Sequence, residues 1–196
     1  MYKKQMRFQK FICYALLITG ALVFLYSLGL LTDLYDNLYS MMPYPDDPSQ
    51  DKVAGVRIYY DMQDFNRSLT KASLVMILLA VFNMIMNTHT RRRYYVGNYI
   101  AIAALSICNI VTSVWAMSNV AMYKERYLTE VDFDSLIKRL TAKKQTFVDS
   151  TFWFDVSKPL FIIVIIATVL FIANLIWKII VTKQEKKLIL EGKEAA

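Results

Sequence analysis

The sequence predicts an all-α membrane protein, a four-transmembrane-helix bundle with two extracytoplasmic loops of about 40 residues forming a small mixed cap. Three observations carry that prediction. Apolar residues make up 56% of the chain, above the globular share of about 45–50%. They gather in four runs free of Asp, Glu, Lys and Arg, at residues 11–32, 72–90, 94–123 and 159–177. Basic residues collect beside alternate ends of those runs. A bilayer core about 30 Å thick needs roughly 20 apolar residues at 1.5 Å per residue, and each run is about that long or longer.

The first span, 11–32, follows a basic N-terminal decapeptide, 1–10. Ser27-Leu28-Gly29 loosely resembles a signal-peptide cleavage site. The apolar stretch exceeds the roughly 7–15 residues of a signal's h-region, so an uncleaved helix is expected. The first loop, 33–71, contains Pro43, Pro45 and Pro48, which break helices and favour extended or turn geometry. Val56, Ile58, Tyr60 and Met62 then alternate with polar or aromatic neighbours, which predicts a short strand. From Asp64 the pattern turns helical and runs into the second span, 72–90.

A cytoplasmic hairpin, 91–97, carries Arg91, Arg92 and Arg93, and the third span covers 98–120. The second loop, 121–158, holds an amphipathic helix at about 130–144. Its stripe is Phe133, Leu136, Ile137 and Leu140, at i, i+3, i+4 and i+7. Thr129 with Asp132 three residues on hints at a capped start. Lys138, Arg139, Lys143 and Lys144 lie toward its C-terminal end, where the helix dipole favours cations. Pro159 is expected in the first turn of the fourth span, 159–181, and a tail, 182–196, closes the chain.

Threading follows from charge. Lys and Arg retained near span ends mark the cytoplasm. The decapeptide, the hairpin and the segment from Lys178 onward hold 12 basic residues against 3 acidic ones. The two long loops hold 11 basic residues against 13 acidic ones. Both termini and the arginine hairpin are therefore expected inside, with Arg91–Arg93 as topology anchors. The net charge of +7 is explained by retention, and no groove-reading element argues for nucleic acid. Cys13 and Cys108 both fall in spans, so no disulfide braces a loop; this points to a bacterial cytoplasmic membrane.

Polar side chains within the spans are amides and hydroxyls. Asn83 and Asn87 share a face of the second span; Ser106, Asn109 and Ser113 share one of the third; Asn174 lies on the fourth. Hydrogen bonds between helices are their ordinary role in lipid, and a polar path through an oligomer is the sharper alternative. His89 is the sole histidine, and no second ligand pattern, nucleophile with a base, or glycine-rich phosphate loop accompanies it. Neither a catalytic residue, a cofactor nor a metal is therefore expected. Asp46, Asp47 and Asp51 read as a solvated turn. The expected partners are the bilayer and either another protein or a second copy, with the stripe Phe133, Leu136, Ile137 and Leu140 as the contact. The function these patterns suggest is that of an accessory, assembly or regulatory subunit; an oligomeric transporter or channel lined by the span asparagines is the alternative.

Overall fold

A computed structural model describes residues 2–44, 46–87, 96–147, 150–190 and 192. Six α-helices follow one another among them: α1 (Tyr2–Gly29), α2 (Thr32–Leu38), α3 (Ile58–Asn87), α4 (Val96–Glu130), α5 (Phe133–Ala142) and α6 (Phe152–Leu190). Short 3-10 turns occupy Tyr39–Met41 and Pro48–Gln50. Four helical stretches, Lys3–Met41, Ile58–Met86, Val96–Glu130 and Phe152–Leu190, are long and apolar enough to cross a membrane.

The chain forms two compact units. Unit 1 comprises Met1–Leu22, Ser73–Ser113 and Ile162–Ala196; unit 2 comprises Val23–Ala72 and Val114–Phe161. Both long connections belong to unit 2.

Unit 1 is apolar on the outside. Phe11 and Ile18 of α1, Leu78 and Phe82 of α3, Ile100 and Ile107 of α4, and Ile163 and Ile166 of α6 are all exposed. Its buried core joins Ile12, Cys13 and Leu16 with Ala80, Ile102, Leu105, Ala167 and Phe171. Gln5, Gln9, Asn83, Asn109, Thr168 and Asn174 are buried among them. Greasy outside with amides inside is the arrangement that lipid favours and water does not. Gly20 lets α1 approach α3, since a Cβ there would meet Ile77 Cγ1 at 3.3 Å.

Unit 2 has an apolar interior of its own. Leu34, Leu38, Met41, Val56, Met62, Phe65, Val131, Leu136 and Leu140 are buried. The cap is not mixed: among the described residues no strand occurs, and the stretch expected as one leads into α3. The reason lies in the period. Ile58, Met62, Phe65 and Leu69 are all buried, at i, i+4, i+7 and i+11, so the helical repeat extends over the polar Asp61, Asp64 and Arg67, and no neighbouring strand offers a ladder.

Two further corrections concern helix starts. The cap of α5 is Asp132 rather than Thr129: the Asp132 carboxylate accepts the Ser135 N–H at 3.1 Å, while Thr129 lies within α4. Pro159 lies well inside α6, which begins at Phe152. The two connections are pinned to each other where Asp132 N–H donates to the Ala54 carbonyl at 3.2 Å. Beside that bond Gly55 adopts φ +78°, and a Cβ there would collide with the Glu130 carbonyl.

Candidate functional site

The most distinctive surface of unit 2 is aromatic. Leu34 and Leu38, one turn apart, are buried, which leaves Tyr35 and Tyr39 on another face of the same turn of chain. Their rings stack at 4.9 Å, tilted by only 13°. Tyr59, at the start of α3, places its ring 5.9 Å from Tyr35 and 5.8 Å from Tyr39. Tyr60 approaches Tyr39 at 6.5 Å. Tyr59 is buried, whereas Tyr35 and Tyr39 remain 50% and 38% exposed. A groove beside them is lined by Leu28, Leu31, Thr32, Tyr35, Asp36 and Tyr59.

A second, open hollow is lined by Tyr44, Asp46, Asp47 and Gln50. Asp47 accepts hydrogen bonds from Ser49 N–H at 3.0 Å and Ser49 Oγ at 2.6 Å. Those donors hold its carboxyl below the usual range, so it stays charged. Arg57 grips Asp51 with two bonds, Nε at 2.7 Å and Nη2 at 3.0 Å, and also reaches the Tyr44 carbonyl at 3.3 Å. The Asp51 charge is thereby balanced within the chain.

Polar ties fix the helices that carry this face. Tyr123 Oη donates to the Asp61 carbonyl at 2.9 Å, and Arg126 pairs with both Asp61 and Glu130 at 2.8 Å. Lys124 pairs with Asp155. These bonds join α3, α4 and α6 within unit 2.

The amphipathic stripe of α5 is largely closed on its own chain. Leu136 and Leu140 are buried, Phe133 packs edge-on against Tyr127 at 5.2 Å, and Ile137 is exposed. Large apolar surface on this helix comes from Ile137 and from part of Phe133.

Asn83, Asn109 and Asn174 each pair with a different partner. Asn83 Nδ2 donates to the Ala101 carbonyl at 2.8 Å, joining α3 to α4. Asn109 Nδ2 donates to Thr168 Oγ1 at 3.1 Å, joining α4 to α6. Asn174 Oδ1 accepts from Gln5 Nε2 at 3.1 Å, joining α6 to α1. Asn87 ends α3, and its side chain lies outside the described residues, as do Arg91–Arg93 and His89. Among the described residues, the buried atoms Gln5 Oε1, Asn109 Oδ1, Ser113 Oγ and Asn174 Nδ2 of unit 1 have no protein hydrogen-bond partner.

Sequence reasoning passed over two members of this interior. Gln5 and Gln9 lie in the basic N-terminal segment yet are fully buried. Their spacing with Ile12 and Leu16, i, i+4, i+7 and i+11, is the signal that would have found them. Lys178, counted with the basic tail, is buried in α6, with its ammonium 5.5 Å from the centre of the Tyr99 ring. It continues the face of Phe171 and Asn174 by one turn.

Among the described residues no three His, Cys, Asp or Glu side chains are grouped to hold a metal ion. Comparison with protein-family models, characterised proteins and solved structures returns no match to this chain.

Proposed function

We propose that this is a multi-pass membrane protein that acts by binding another protein through the aromatic face of unit 2. One observation carries the reading. Tyr35, Tyr39 and Tyr44 are 50%, 38% and 62% exposed, in a unit that buries Tyr59, Tyr127, Phe65 and Phe154. Tyrosine is enriched at protein interfaces, because a rigid ring supplies contact area at low entropic cost while its hydroxyl stays hydrated. The charge asymmetry of the connections supports an extracytoplasmic position for this face, with both termini in the cytoplasm. In this reading the protein is an accessory or regulatory subunit of a cell membrane, and Ile137 and Phe133 add a minor contact.

A photoreactive residue substituted for Tyr39 and activated in native membranes tests the proposal. A discrete protein adduct that disappears on competition with the unlabelled chain is expected. Adducts with lipid alone would mean that these tyrosines are an interfacial belt and not a docking face.

A second reading draws on the partnerless buried atoms of unit 1, Gln5 Oε1, Asn109 Oδ1, Ser113 Oγ and Asn174 Nδ2. Buried polar groups within membrane helices cost several kcal/mol when unsatisfied. A polar path through an oligomer would satisfy them. Flux through vesicles that survives Asn109→Leu and Asn174→Leu would dismiss this second reading.

A further inference from the structure

We infer that the segment seated on the aromatic face is basic, carrying lysine or arginine side chains, an inference that rests on the partner-binding reading above. The face is continuous from the tyrosine stack to the acidic hollow. Tyr60 lies near Tyr39 at 6.5 Å and within electrostatic reach of Asp46, and Arg57 ties the Tyr44 carbonyl to the start of α3 at 3.3 Å. Three exposed carboxylates flank the rings: Asp36 beside the groove, Asp46 and Asp47 in the hollow.

The cations nearby offset them only in part. Arg57 is bonded twice to Asp51 and acts on Asp47 only through space. Lys143 lies on the same side and keeps its charge, its ammonium donating to the neutral Ser40 carbonyl at 3.3 Å, and the three carboxylates outnumber it. Among the described residues no Lys or Arg forms an ion pair with Asp36, Asp46 or Asp47.

Electron-rich ring faces next to carboxylates suit one class of side chain. A guanidinium stacks on tyrosine and forks onto a carboxylate with the same planar group, and an ammonium uses both in turn. An acidic segment would meet like charge, which costs affinity and slows encounter. The groove beside Tyr35 accommodates the apolar stem of a long basic side chain while its head stays near Asp36.

The test uses the full-length protein in nanodiscs of phosphatidylcholine, a lipid of no net charge. Two labelled probe peptides are titrated by fluorescence anisotropy, one rich in lysine and arginine, the other with those positions changed to glutamate. The basic probe is expected to bind saturably and the acidic one not to bind. Binding should weaken tenfold or more in a combined Asp36→Asn, Asp46→Asn, Asp47→Asn variant. It should also fall as salt rises from about 0.01 M to about 1 M, where the screening length drops from about 30 Å to about 3 Å. The substitutions are isosteric and exposed, and the amide oxygen introduced by Asp47→Asn still accepts from Ser49, so folding is preserved.

Equal binding of the basic probe by this variant, or equal binding of both probes by the parent, overturns the inference. The photo-adduct at Tyr39 separates the two levels. A protein adduct of undiminished yield in the neutralised variant leaves the partner-binding reading standing and removes the basic partner; lipid adducts alone remove both.

Discussion

Tyr35 and Tyr39 lie face to face, ring centres 4.9 Å apart, yet both stay open to the surroundings at 50% and 38% exposure. An aromatic pair is worth about 0.5–1.5 kcal/mol beyond the area it buries. A combined Tyr35→Ala, Tyr39→Ala variant should therefore lose at least about 0.5–1.5 kcal/mol of stability, since the contacts with Tyr59 and Tyr60 go as well. Its partner binding should fall tenfold or more, as truncating an interface anchor costs about 2 kcal/mol or above. Thermal unfolding in detergent and quantitative co-purification measure the two effects separately. Intact co-purification would mean that the stack contributes nothing to binding.

Gly55 has a backbone that other residues rarely adopt, at φ +78°, and its Cβ position is filled by the Glu130 carbonyl. Gly55→Ala should cost at least the roughly 1–3 kcal/mol of a non-glycine residue held in the left-handed region. The damage should centre on the Asp132 N–H to Ala54 carbonyl bond, which joins the two connections. Hydrogen exchange at the Asp132 amide checks this. Unaltered protection there would show that the close approach is not needed.

Asn109 and Thr168 join α4 to α6 with a bond of 3.1 Å between two buried side chains. Bonds of this kind between membrane helices average about 0.6 kcal/mol and reach about 1.7 kcal/mol. A double-mutant cycle with Asn109→Leu and Thr168→Val should give a coupling within that range. Zero coupling would make the pair incidental.

Asp132 gives α5 a sensitivity to acid. The Ser135 donors hold its carboxyl below the ordinary aspartate value. A depressed folded-state value means that the support is fully present above the unfolded value, about 3.9, and is lost as pH falls through the lower folded one. Protection of the Ser135 amide should therefore decline below about pH 4 in the parent and stay level in Asp132→Asn. A level response in the parent would exclude the carboxylate as the cap.

The four long helices were legible in the sequence because lipid imposes a length and forbids charge, and the runs meet both conditions. Their ends were not. Apolar-run length sees only uniformly greasy segments, whereas α3 begins at Ile58 with one face buried through Met62, Phe65 and Leu69 and the other carrying Asp61, Asp64 and Arg67. The short alternation at Val56–Met62 matched a strand only because five to seven residues cannot distinguish the two periods. The α5 stripe was readable, but what covers it depends on Tyr127 and the neighbouring core, which lie elsewhere in the chain. The same holds for the tyrosine face. Its Tyr35–Tyr39 half follows from i, i+4 spacing, while Tyr59 and Tyr60 join it only through tertiary folding. Lys178 was placed in the tail because charge is normally excluded from a span, and Tyr99 supplies the compensation that no local pattern reveals.

Partner binding as proposed needs Asp46 and Asp134, one from each long connection, to face the same aqueous side, opposite the termini. Single cysteines at Asp46, Asp134 and Lys183, in a chain whose Cys13 and Cys108 are changed to serine, would be treated with an impermeant thiol reagent on intact cells. Labelling at 46 and 134, with labelling at 183 only after the membrane is opened, is the predicted result. Labelling at 183 on intact cells, or opposite behaviour of 46 and 134, would contradict the four crossings on which the rest is built.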